Sequence, residues 1–308
     1  MQAFDQNIMK ALQWGSFYAL IALGYTLVYG VIRLINFAHG DIFMVGAYLG
    51  FFLATFFLGT YPLHLPFPLS TGTIFVLTII FAMILTALVG VSLERIAYRP
   101  LRRKGANRLY VVITALMAGL LLENGNLAVL GASRLKFPDL IAKKVYTIEG
   151  VTFTNIKVLV IIVAILVFVL LEFIIRKTKL GMAMRAISYD RMAVPLMGIP
   201  VDQVIVFTFV LGSSMAALAG VLFVTAYPVL EPYMGAMIGW KAFIAAVLGG
   251  IGDIRGAFFG GFLLGFVEIL TVAFFPSTFR DLISFTILLL ILSARPTGLF
   301  GVAKATKI

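Results

Sequence analysis

Two triplets of the same composition, Gly40-Asp41-Ile42 and Gly252-Asp253-Ile254, each stand at an interruption in apolar sequence and precede a glycine-rich apolar run. A carboxylate so placed has two chemical uses. Facing a second carboxylate, so that one holds a proton while the other does not, it can do acid–base work. Standing just before a helix, it caps free N–H groups and meets the positive end of the helix dipole. Capping is the expected role of both Asp41 and Asp253, with Gly256, Gly260 and Gly261 forming a small-residue face on which helices approach closely.

The catalytic alternatives find little support. Gly250-Ile251-Gly252-Asp253 fits the Gly-x-Gly-Asp half of the intramembrane aspartyl protease signature, and Tyr189-Asp190 is similar to the other half. Asp190, however, lies in an arginine-rich loop between apolar runs, which argues against a protease. There is no His-Glu-x-x-His motif, and the histidines are His39 and His64 alone. No Gly-x-Ser-x-Gly elbow and no Walker A sequence occur. With zero cysteines, disulfides, thiolate metal sites and cysteine nucleophiles are excluded. The expectation is therefore no metal, no cofactor and no enzymatic activity, with energy supplied by a partner or a gradient.

Ionisable groups inside apolar runs mark pathways or interhelical bonds. Glu123, followed by Asn124 and Gly125, is equally suited to lining a pore and to bonding a neighbouring helix. Glu268, near the middle of its run, reads as a residue that bonds a neighbouring helix or snorkels to the surface. With Asn36 and His39, Glu123 and Asn124 make up the candidate translocation path.

The elements that must position these groups follow from composition. The 308 residues are 62% hydrophobic and only 12% charged, with a mean hydropathy of +1.08, which is the composition of a polytopic membrane protein. Runs near the roughly 20 residues that a 30 Å hydrocarbon core requires lie at about 11–31, 42–60, 73–93, 109–130, 157–175, 203–226, 257–275 and 282–294. A shorter ninth, about 236–250, ends in Gly249-Gly250. The expected fold is all-α, a single transmembrane domain over 1–308 with eight or nine spans, and with re-entrant or broken helices near 31–41 and 240–256.

Lysine and arginine set the orientation. The segments 94–108 and 176–201 are dense in them and are expected in the cytoplasm, as is the C-terminus; with nine spans the N-terminus falls outside. Segment 133–157 disagrees, being external in this topology yet holding Arg134, Lys136, Lys143, Lys144 and Lys157. Most of the +11 net charge then serves topology and attraction to anionic lipid, leaving little for nucleic acid.

Segment 178–204 carries Met182, Met184, Met192, Val194, Leu196 and Met197 where the chain should meet water. It is expected to form a short helix over 181–190, a turn ended by Pro195 and Gly198, and a re-entry capped by Asp202. Its apolar surface suits docking on a partner and equally suits lying on the membrane.

The motifs NFAHGDIFMVGAYLG, ERIAYRPLR, LGMAMRAISYDRMAVPLMGIPVDQV and WKAFIAAVLGGIGDIRGAFFGGFLLGFVE, in this order and spacing, resemble permease subunits of high-affinity branched-chain amino-acid ABC importers, of the LivH type. The resemblance implies a multi-pass protein of the bacterial inner membrane that moves leucine, isoleucine, valine or related neutral amino acids, with amides or urea as the family alternative. It implies a second permease of the LivM type or an identical copy, two cytoplasmic ATPase subunits and a periplasmic binding protein. It also implies a coupling helix within 180–190, with Leu180, Gly181, Met182, Arg185, Ala186, Tyr189 and Asp190 at the ATPase, which favours docking over lipid contact for this loop.

Overall fold

The computed structural model of the chain describes residues 2–59, 69–148 and 151–301; His64, Glu149 and the tail beyond 301 lie outside them. In lipid every backbone N–H and C=O must be satisfied within the segment, and the apolar runs accordingly form helices. These are α1 (Gln2–Ile32), α2 (His39–Phe57), α3 (Thr71–Leu93), α4 (Arg99–Arg103), α5 (Arg108–Leu130), α6 (Asn155–Lys177), α7 (Lys179–Tyr189), α8 (Val201–Ala226), α9 (Met234–Gly249), α10 (Ile254–Phe274) and α11 (Phe279–Ala294). Among the described residues seven helical stretches are long and apolar enough to cross a membrane, and they correspond to the first seven runs. The runs at 236–250 and 282–294 form α9 and α11, of 16 residues each, or about 24 Å at 1.5 Å per residue.

The core is built on α1, which packs against α6, α8, α9 and α10, while α2 and α3 pack on α8. From Phe17 to Leu23 no side chain of α1 is exposed at all; a helix apolar all round is an inner helix. By contrast α3, α5, α6 and α11 turn large apolar side chains outward, among them Ile84, Leu121, Leu166 and Leu289. Glycines set the closest contacts. A Cβ on Gly261 would strike the backbone of Ala19, one on Gly256 the carbonyl of Gly249, and one on Gly260 the carbonyl of Ala245.

Segment 94–108 is largely helical rather than an open loop. Helix α3 runs on to Arg103 through a π turn over Glu94–Tyr98. Pro100 explains the turn: it has no N–H, and its ring crowds the carbonyl four residues back, so the ladder loosens there. The Glu94 carboxylate is fully buried and takes Arg99 at 3.2 Å and Arg102 at 2.8 Å. Arg102 and Arg103 bind Asp202 at 2.7 and 2.8 Å. Asp202, expected as a cap, instead joins α4 to the first turn of α8, whose N-cap is Pro200.

Short strands add to the helices in a way the sequence does not announce. β1 (Leu135–Lys136) pairs antiparallel with β4 (Val229–Leu230), and β2 (Val145–Ile148) with β3 (Val151–Thr154).

The two Gly-Asp-Ile triplets part company. Asp253 is the N-cap of α10 and accepts from the Gly256 amide at 2.8 Å. Asp41 is the third residue of α2; the N-cap there is Ala38, with no side-chain bond, and Asp41 Oδ1 has no hydrogen-bond partner. The capping role expected of Asp41 does not hold, because α2 begins two residues earlier, at His39.

Candidate functional site

The break between α1 and α2 is fixed by its own residues. Arg33 has a left-handed backbone, φ 53°, and donates to the Ser188 carbonyl. The Asn36 carbonyl accepts from the His39 amide at 3.1 Å, and its side-chain oxygen accepts from the Tyr98 hydroxyl at 2.6 Å. His39 is buried edge-on to Tyr25, ring centres 4.7 Å apart, with its Nε2 against Gly24, where any side chain on α1 would collide with it. Asn36 and His39 thus lie inside the protein and hold the break in place.

Beyond the break α2 meets α9 backbone to backbone: a Cβ on Gly40 would lie 2.6 Å from the Gly235 carbonyl and 2.8 Å from Gly239 Cα. This contact leaves room for the next side chain. Asp41 is 7% exposed, with Oδ2 against Gly119 of α5 and Oδ1 against Gly235 of α9. Glu123, one helical turn after Gly119, lies on the same face of α5. Asp41 and Glu123 line one cavity of about 280 Å³, walled by Phe37, Leu116, Leu120 and Trp240. Asn124 points away; it is exposed and donates to the Leu120 carbonyl of its own helix at 2.8 Å.

A buried carboxylate without a partner is costly unless a cation or proton joins it. An apolar chamber with one such group and a second carboxylate nearby suits a small solute with an ammonium group and an aliphatic body. Asp41, expected from the sequence as a cap, instead lines this cavity. Its signal is the glycines Gly119 and Gly235, whose missing side chains make its space.

Glu268 is fully buried and takes Lys241 at 2.9 Å, Arg280 at 3.1 Å and the Tyr18 hydroxyl at 2.7 Å. It joins α1, α9, α10 and the start of α11.

Helix α7 begins at Lys179, two residues earlier than expected, because the Thr178 hydroxyl caps it by accepting from the Gly181 amide at 3.1 Å. Gly181, Met184 and Ile187 are buried, Leu180 and Ala186 half-buried, and Met182, Arg185 and Tyr189 exposed. Of the six apolar residues expected on the surface of segment 178–204, Met184 and Val194 are buried, whereas Met182, Met192, Leu196 and Met197 are exposed. Arg185 donates to the Ile175 carbonyl at the end of α6. Asp190 accepts from the amides of Met192 and Ala193 at 2.8 and 3.1 Å, so it, like Asp253, is engaged by backbone N–H groups at a helix end.

Comparison with known proteins bears on this arrangement. The family model described as branched-chain amino acid transport system / permease component matches residues 7–292. The high-affinity branched-chain amino acid transport system permease protein LivH of Escherichia coli K12 is 38% identical over 99% of this chain and 98% of its own. The permease protein BraD of the corresponding Pseudomonas aeruginosa system is 38% identical over 98% of this chain and 97% of its own. Among solved structures, PsaBC from Streptococcus pneumoniae in complex with Fab aligns with 91% of this chain and 89% of that one, at 14% identity and a TM-score of 0.45.

Proposed function

The chain belongs to the family of branched-chain amino acid transport permease components, and on that premise we propose that it is the translocation subunit of an ATP-driven importer for leucine, isoleucine, valine or related neutral amino acids. The observation that carries this reading is the likeness to LivH and BraD over nearly the full length of all three chains. The sequence has no phosphate-binding loop, so ATP is hydrolysed by separate cytoplasmic subunits. A binding protein delivers the solute on the opposite face, in a bacterial inner membrane, with the C-terminus and α7 in the cytoplasm.

A second permease subunit packs against the outward apolar face of α5, formed by Leu109, Ile113 and Leu121, and the solute passes through the cavity at the edge of that face, where Leu116 and Leu120 are also exposed. There the ammonium of the amino acid meets Asp41 and Glu123, and its aliphatic side chain meets Leu116, Leu120 and Phe37. Met182, Met192, Leu196 and Met197 form the surface that receives the ATPase. Such methionine-rich surfaces adapt to a moving partner.

The test is reconstitution of the chain with candidate permease, ATPase and binding-protein subunits from its source organism, followed by uptake of labelled leucine into liposomes. ATP-dependent uptake that excess valine suppresses and excess urea does not is the expected result. Leucine uptake by the chain alone, without ATPase, would refute the proposal.

A further inference from the structure

A second cavity, of about 320 Å³, lies where the end of α1, the turn before α5 and the end of α7 meet. Its wall includes Arg33, Arg102, Arg108 and Arg191 and not one carboxylate. Arg102 is 3% exposed. Its Nη2 is held by Glu94 and Asp202, while Nε and Nη1 are buried with no hydrogen-bond partner. Buried donors left unmade are costly, those of a charged group most of all. Arg33, Arg108 and Arg191 form no salt bridge among the described residues. Burial, and after it the charge of Arg102, holds the Arg191 guanidinium below its usual range, against a smaller opposing pull from Asp202. Apolar side chains, Val31, Val111 and Ile187, complete the wall.

Arg102 is already paired with Glu94 and Asp202, whereas Arg33, Arg108 and Arg191 add exposed positive charge around the chamber; an anion with several oxygens offsets that charge, and planar guanidinium forks match phosphate oxygens well. We propose that this cavity is a phosphate-anion site, formed by Arg33, Arg102, Arg108 and Arg191, that takes either the phosphate of an anionic lipid headgroup or free phosphate. The site lies at the ends of apolar helices, the depth at which headgroups are found, and it touches Ser188 and Tyr189 of α7. Anion occupancy then steadies the junction of α1 and α7, whether or not the transport reading holds.

The test uses the full chain in phosphatidylcholine nanodiscs, with and without phosphatidylglycerol. Native mass spectrometry counts retained phosphatidylglycerol, and thermal unfolding in phosphatidylcholine alone is followed with inorganic phosphate against a chloride control. Arg102 stays intact because Glu94 and Asp202 depend on it. The variant is Arg108→Gln with Arg191→Gln, beside the charge-preserving Arg108→Lys with Arg191→Lys and a control, Lys143→Gln with Lys144→Gln. Retention of phosphatidylglycerol that falls about tenfold or more only in the Gln variant identifies a lipid site. Stabilisation by inorganic phosphate that only the Gln variant loses identifies a free-phosphate site. Equal lipid retention in all variants together with no phosphate effect overturns the proposal. So does loss of ATPase co-purification in the Gln variant without any change in anion binding, which would assign the arginines to a protein carboxylate.

Discussion

The Tyr98 hydroxyl donates a 2.6 Å hydrogen bond to the Asn36 side-chain oxygen, and so ties the π turn that prolongs α3 to the break between α1 and α2. Both residues are buried, at 2% exposure each. Tyr98→Phe leaves the Asn36 oxygen without its donor, at a cost of about 1–3 kcal/mol. Thermal unfolding in detergent should show that loss, and an unchanged midpoint would mean that the bond contributes nothing.

Asp41 is a buried carboxylate whose Oδ1 lacks a partner, so its charge is a burden on the free protein. Asp41→Asn keeps the shape, and is expected to raise thermal stability while lowering leucine uptake at least tenfold. The opposed signs separate a binding role from a structural one. Uptake at wild-type level would remove Asp41 from the path.

Glu268 balances Lys241 and Arg280 within one partly buried cluster. Glu268→Gln leaves Arg280 without its carboxylate, while Lys241 keeps Asp281 at 2.8 Å. Breaking buried pairs costs 3–5 kcal/mol in general, and the partial exposure of both cations places this one near the low end, about 3 kcal/mol. Adding Lys241→Met should recover part of the loss, a coupling that a double-mutant cycle measures. Strict additivity would show that the ions act independently.

Met182 is 57% exposed on α7 and Leu196 90% exposed beyond it. Neither supports the fold, so Met182→Glu and Leu196→Glu should leave expression and unfolding temperature unchanged. If this face receives the ATPase, co-purification of the ATPase should fall about tenfold or more, the equivalent of about 1.4 kcal/mol. Intact co-purification alongside weaker contact of the loop with lipid would instead make it a membrane-surface segment.

Arg185 is a poorer probe of docking than its sequence position suggests. It donates to the Ile175 carbonyl of its own chain, so reversing its charge would disturb the α6–α7 junction as well as any partner.

The membrane class, the long helices and the exposed methionines around Met192 were legible in the sequence, because hydropathy over 20 residues is a local property that lipid reads directly. The short helices α9 and α11 were visible as runs, while the strand pair Leu135↔Leu230 was not, since its partners stand far apart in the chain. The site divided along the same line. Glu123 was nameable as a polar residue in an apolar run, and Asp253 as a cap. Asp41, in an identical triplet, became a cavity residue only because His39 packs on Gly24 and Gly40 on Gly235, which starts α2 before it. Likewise Met184 and Val194 are buried while Met182 and Leu196 are exposed. Residue type fixes what a side chain can do, but which backbone it meets depends on contacts between helices distant in sequence, and only the tertiary packing decides those.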